Sequence, residues 1–122
     1  NQVELNVDAA RKIVKERVPA ESAHLSIEGI QRVVADHFSL TLELLIGKTR
    51  KQEVATPRQI AMFLAKRLTK SPLKVIGLHF GNRDHSTVIH AVQTVEKKCD
   101  EDAEFAHVVD GLSEKLQQPL QD

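Results

Sequence analysis

The chain has 122 residues, 41% of them hydrophobic and 3% aromatic, which suits one domain with a single core and excludes a disordered chain or a membrane-spanning segment. Its aromatics are Phe38, Phe63, Phe80 and Phe105, with no Tyr or Trp, which argues against folds that stack RNA bases on exposed aromatic platforms. The zero formal net charge hides three blocks: five cations against seven acids over 1–47, eleven against three over 48–98, and one against seven over 99–122.

Apolar residues recur at helical spacing with no sustained alternation, so the expected class is all-α. A first helix is expected over 7–18, with Ala10, Ile13, Val14 and Arg17 on one face and Pro19 after its end. A loop over 20–25 leads to a second helix, capped by Ser26, whose buried stripe is Ile27, Ile30, Val33, Val34 and Phe38. A short helix over 42–46 has Thr41 as cap and Gly47 as stop. The polar stretch 48–53 contains no apolar residue and is read as an exposed loop.

Thr56-Pro57 is expected to open the next helix, with Thr56 capping and Pro57 in the first turn. Ile60, Ala61, Phe63, Leu64 and Leu68 then face inward. Ser71-Pro72 repeats that start signal for a short helix with Val75, Ile76 and Phe80 on its apolar side and Gly81 as stop. Asp84 caps a helix through about Lys98. A final amphipathic helix covers 102–118 and buries Phe105, Val108, Val109, Leu112 and Leu116, before Pro119. The lone Cys99 forms no internal disulfide and fits a packed core thiol. Asn1 is followed by no secretory leader, and the missing Met suggests a piece of a longer protein.

The stretch 71–98 carries the functional signal. A short helix, the turn Gly81-Asn82-Arg83 and a longer helix form a helix-turn-helix pattern. On the longer helix, Val88, Ala91, Val92, Val95 and Cys99 share one side. Ser86, His90, Gln93 and Lys97 share the other, with Arg83 just ahead of them. That polar face offers the donors, acceptors and short side chains a DNA major groove requires. Together with the basic middle block it points to an anionic partner. A plain helical hairpin with a solvated charged surface fits the same spacing.

Two segments are more specific. IGLHFGNRDHSTVIHA (76–91) and TPRQIAMFLAKRLT (56–69) resemble the signature of the DnaA family of bacterial replication initiators. The likeness extends at lower similarity across 25–118. It implies that 25–122 is the family's C-terminal helix-turn-helix DNA-binding domain, and that 1–24 is the end of the upstream ATPase lid helix plus a connector. It implies binding of double-stranded DNA at short asymmetric boxes similar to TTATCCACA at the replication origin. Other initiation proteins are candidate partners, and the expected compartment is the cytoplasm. The family's ATP site lies in another domain; this chain has no GxxxxGK motif, so no cofactor and no enzymatic activity are expected of it.

By the same resemblance, Arg50 is the arginine of the basic loop that enters the minor groove. Asp84 accepts from a cytosine amino group, and His85 and Ser86 touch base edges and thymine methyls. Arg58, Gln59, Lys66, Thr87 and His90 meet backbone phosphates or the groove edge. Apart from the resemblance, the basic middle block and the polar face of the longer helix add Lys74, Arg83 and Lys97 to the expected DNA-facing set. Thr49, Lys74, Ser86 and Thr94 depart from the family's usual residues. The chemistry agrees: a carboxylate accepts from cytosine N4, and narrow A·T minor grooves attract arginine.

Other readings of these residues are weaker. Asp84–His85 as an acid–base dyad lacks a nucleophile or oxyanion arrangement, and an N-cap role explains Asp84. His79, His85 and His90 do not share one helical face as metal ligands would. Lys97 and Lys98 also complement a helix C-terminus. The acidic last helix reads as a packing helix. The alternative function is a helical protein-interaction module that no longer reads DNA.

Overall fold

The structure, a computed structural model, describes residues 25–118, which form six helices and no strand. These are α1 (Ile27–His37), α2 (Leu42–Ile46), α3 (Gln52–Thr69), α4 (Leu73–His79), α5 (His85–Glu101) and α6 (Ala103–Gln117). The helix expected over 7–18 and Pro119 lie outside the described residues.

Local chemistry sets most of the boundaries. The Ser26 hydroxyl accepts from Gly29 N at 2.9 Å and starts α1. Thr41 Oγ1 accepts from Leu44 N at 3.1 Å and starts α2, and Gly47 ends it. Asp102 both ends α5 and starts α6: its N–H donates to the Lys98 carbonyl, while Oδ1 accepts from Glu104 N and Phe105 N. The α5 helix therefore runs one turn past its expected end.

Two starts differ from the expectation. The α3 helix begins at Gln52, so Glu53 is helical and Thr56 is not a cap. The Lys51 carbonyl accepts from Val54 N and Ala55 N at 2.9 and 2.7 Å, and the early turn buries Val54 to 4% exposure. Pro57 thus sits inside the helix, its ring buried; the Glu53 carbonyl loses its helical donor near the solvated helix start. Farther on, Pro72 rather than Ser71 is the N-cap of α4, and Ser71 pairs back to Thr69 Oγ1 at 2.7 Å.

The α3 helix is the central element, with six consecutive residues buried from Ile60 to Ala65. Around it pack Ile27, Ile30 and Val34 of α1, Leu45 of α2, Ile76 of α4, Val88, Ala91 and Val95 of α5, and Val109, Leu112 and Leu116 of α6. Each fully buried large aliphatic or aromatic side chain contributes about 1.5–3 kcal/mol. Val33, Phe38, Val92, Cys99, Phe105 and Val108 pack at the margin of this core. Val75 departs from expectation: it is 37% exposed, because the short α4 turns only Ile76, Gly77 and the following Phe80 inward. No helix among the described residues is long and apolar enough to cross a membrane.

Candidate nucleic-acid interface

The turn between α4 and α5 is compressed by its backbone. Gly81 and Asn82 have φ of +79° and +65°, and Arg83 N donates to the Gly77 carbonyl at 2.9 Å. A Cβ on Gly77 would lie 2.0 Å from the Arg83 carbonyl oxygen. One on Gly81 would lie 2.5 Å from the Ile46 carbonyl oxygen. Glycine is required at both places: at Gly77 so that α4 can approach the turn, at Gly81 for that close approach and for the positive φ. The second contact seats the turn directly on the end of α2.

The turn delivers Asp84 to the start of α5. Its Oδ1 accepts from Thr87 N at 3.1 Å, Thr87 Oγ1 at 3.0 Å and Ser86 Oγ at 2.9 Å. Those bonds, the Thr87 N–H first, hold the carboxyl below the usual aspartate range. Oδ2 takes no hydrogen bond from the described residues. The Ser86 and Thr87 hydroxyls both donate to that carboxylate, which leaves their lone pairs as acceptors. His85, Ser86, Thr87, His90, Gln93 and Lys97 are all exposed, whereas Val88 and Val95 are fully buried. The two faces of α5 are thus divided as the sequence spacing requires.

Arg58 and Arg83 stand apart from the other cations. Arg58 is 6% exposed; Nε donates to Leu45 O at 2.7 Å, Nη1 to Thr49 O at 2.9 Å and Nη2 to Leu44 O at 3.2 Å. Arg83 Nη2 donates to Gly47 O at 2.6 Å, and Nη1 donates to Ile46 O at 3.2 Å and to Phe80 O. Burial, then the charge of Arg83, lowers the Arg58 pKa; burial lowers that of Arg83. Both remain cationic. Each was expected at the DNA; the structure shows the guanidinium of each bonded to main-chain carbonyls. Nothing local in the sequence signals those carbonyl partners.

The two guanidinium groups form the shared wall of two concavities. One, about 380 Å³, is lined by Lys48, Thr49, Arg50, Arg58, Gly81, Asn82 and Arg83 and contains no carboxylate. The other, about 110 Å³, is lined by Ala55, Arg58, Gln59, Met62, Arg83, Thr87, His90 and Ala91. Arg50, Arg58, Gln59, Arg83, Thr87 and His90 therefore come together; Asn82, not singled out in the sequence, joins them. Asp84, His85 and Ser86 adjoin on the first turn of α5. Lys66 lies apart, in a larger cleft with Phe63, Arg67, Val92, Glu96, Cys99, Asp100, Ala106, Val109 and Asp110. Lys74 and Lys97 are exposed on α4 and α5 and line none of the three. Burial first, then Asp110 and Asp100, raises the Cys99 thiol pKa against an opposing Arg67 charge, as suits an unreactive packed thiol.

The chain is similar to known proteins over most of its length. The family model for the bacterial dnaA protein helix-turn-helix matches residues 27–95. The chromosomal replication initiator protein DnaA of Flavobacterium psychrophilum is 44% identical over 116 residues, covering 95% of this chain and 24% of that protein. Its counterpart from Chlorobaculum tepidum is 42% identical over 114 residues, covering 93% of this chain and 23% of that protein. This chain therefore spans about a quarter of the length of these relatives. A solved structure, the crystal structure of a DNA replication initiation factor, superposes with a TM-score of 0.68 at 28% identity, covering 80% of this chain and 29% of that one. The matched segment runs from α1 into α5 and contains the turn, both clamping arginines and the exposed α5 face as far as Gln93: the chain belongs to the bacterial DnaA helix-turn-helix family.

Proposed function

We propose that this domain is a non-catalytic reader of double-stranded DNA in replication initiation. It binds boxes similar to TTATCCACA, with α5 in the major groove and the basic loop 48–51 in the minor groove. The observation that carries the reading is the convergence of the Arg50 loop and the turn that leads into α5 on one concavity whose lining contains no carboxylate. A cationic hollow beside a polar, exposed helix face suits a phosphate backbone flanked by two grooves. The family relatives are replication initiator proteins, which supports the setting. Asp84 Oδ2 is the acceptor for a cytosine amino group. His85 and Ser86 meet base edges, and Arg50 enters the narrow groove. The domain uses no cofactor of its own; ATP chemistry belongs to a part of such initiators outside these residues.

A gel-shift titration of the chain against a box-containing and a scrambled duplex tests this. The box is bound more tightly, and Asp84→Ala and His85→Ala each lower specific binding by ~1–3 kcal/mol while leaving binding to the scrambled duplex nearly unchanged. Equal binding of both duplexes by the unaltered chain overturns the reading. It would favour an interaction module instead, for which the exposed Leu78, at 57%, and Val75 are the starting point.

A further inference from the structure

The positive charges of Arg58 and Arg83 meet no carboxylate among the described residues; all of their hydrogen bonds go to main-chain carbonyls. Setting the buried Arg58 beside the half-buried Arg83 is electrostatically unfavourable, and apolar side chains of similar volume would pack there without that cost. What the arrangement accomplishes is specific. The carbonyls of Leu44, Leu45, Ile46, Gly47 and Thr49 are all gripped, the first two and the last by Arg58 on α3, the others by Arg83 at the head of α5. From Gly47 to Gln52 the chain has no apolar side chain with which to anchor itself on the core. The arginine grip and the close contact at Gly81 are therefore what place the loop.

We propose that Arg58 and Arg83 are positioning residues for DNA reading: together they fix the Arg50 loop relative to the first turn of α5, so that both elements read a box as one rigid unit of set spacing. This rests on the DNA reading above and adds to it. A loop held before DNA arrives pays no ordering entropy on binding. A phosphate entering the hollow would supply a counter-charge and reinforce the grip.

The test uses Arg58→Lys and Arg83→Lys, which keep the charge and most of the stem but lose the planar fork that reaches three carbonyls at once. Binding is measured to three duplexes: the box, the box altered at its loop-proximal end, and the box altered at its helix-proximal end. In the variants, discrimination at the loop end falls roughly tenfold, a typical worth of one base contact, while discrimination at the helix end stays within about twofold. A parallel loss at both ends, or no loss at either, overturns the positioning role. A second measurement needs no variant: one base pair inserted between the two ends costs the unaltered chain roughly tenfold or more, because a rigid loop cannot follow the displaced groove. Tolerance of that insertion within about twofold overturns the coupling. An unaltered chain that discriminates at neither end overturns instead the DNA reading on which the inference stands.

Discussion

The side-chain amide of Gln31 donates to the main-chain carbonyl of His79 at 2.7 Å, across 48 residues of sequence. Gln31 is 6% exposed and lies among the apolar residues of α1. His79 is the last residue of α4, where a carbonyl has no partner within its own helix. One buried amide thus completes the end of α4 and fixes α1 against the helix-turn-helix. Gln31→Leu leaves that carbonyl unsatisfied, and urea unfolding should show a loss of about 1–3 kcal/mol. The neighbouring Glu28–His79 pair, at 3.6 Å, is largely solvated. Glu28→Gln should therefore cost less than about 1 kcal/mol. Equal losses for the two variants would contradict this ranking.

Two glycines should respond in opposite directions to the same substitution. At Gly77 an added methyl meets the Arg83 carbonyl at 2.0 Å, and backbone on both sides leaves nothing flexible to yield. Gly77→Ala should destabilise by roughly 3 kcal/mol, the upper part of the range for overpacking. Gly111 is exposed in the middle of α6 with nothing within 4 Å of the added atom. Gly111→Ala should stabilise by about 0.5–1 kcal/mol, the difference in helix propensity. Thermal or urea unfolding of the pair checks both signs.

The contrast between residues read correctly and residues missed has a physical basis. Thr41 and Gly47 lie within one turn of the helix they bound, so α2 was legible from its own sequence. The same holds for Ser26, and for Asp84, whose cap bonds reach only to Thr87. Pro57 misled because a proline near a helix start is a local signal, whereas Val54 is drawn into the helix by burial that depends on distant partners. Gln31, Arg58 and Arg83 show the same limit. The two arginines were visible by charge and family resemblance and Gln31 was not singled out, but all three have carbonyl partners, 48, 13 and 37 residues away, and a carbonyl leaves no mark in a sequence. The exposed face of α5 was legible because helical rotation alone divides it from Val88 and Val95.

The Asp84 cap makes a pH signature. Its carboxyl is held below the usual aspartate range by the Thr87 N–H, then by the Ser86 and Thr87 hydroxyls. A depressed carboxylate contributes stability that is fully present above its unfolded-state pKa and is lost as pH falls through the lower, folded-state value. Asp84→Asn keeps a capping oxygen but removes the charge. The difference in urea midpoint between the two chains should hold steady from neutral pH to about pH 5 and shrink below about pH 4. A gap that widens on acidification would contradict the assignment.

Arg50 should read groove width. It is exposed on the rim of the cationic hollow, and a narrow A·T minor groove concentrates negative potential. Arg50→Ala should weaken binding most on boxes whose loop-proximal end is A·T-rich. Changing that end to G·C should weaken the unaltered chain but scarcely affect the variant. Equal losses for both would reduce Arg50 to a phosphate contact.

The salt dependence of binding decides which cations supply affinity. Lys48, Arg50, Lys51, Lys66, Lys74 and Lys97 are exposed, while the guanidinium groups of Arg58 and Arg83 already serve main-chain carbonyls. If roughly 4–7 cations neutralise phosphates, log K against log salt should have a slope of about −4 to −6. Lys66 gives the sharpest test, because it shares its cleft with Glu96, Asp100 and Asp110 rather than with the Arg58–Arg83 hollow. As a phosphate contact, its replacement in Lys66→Ala should lower the magnitude of the slope by about 1 and weaken all sequences alike. Arg67 lines the same cleft with its guanidinium 5.6 Å from the centre of the Phe63 ring, and Arg67→Ala should leave the slope unchanged. Identical slopes for Lys66→Ala and the unaltered chain would show that the acidic cleft, not DNA, takes up the Lys66 charge. A slope near zero for the unaltered chain would remove the electrostatic basis of DNA binding altogether.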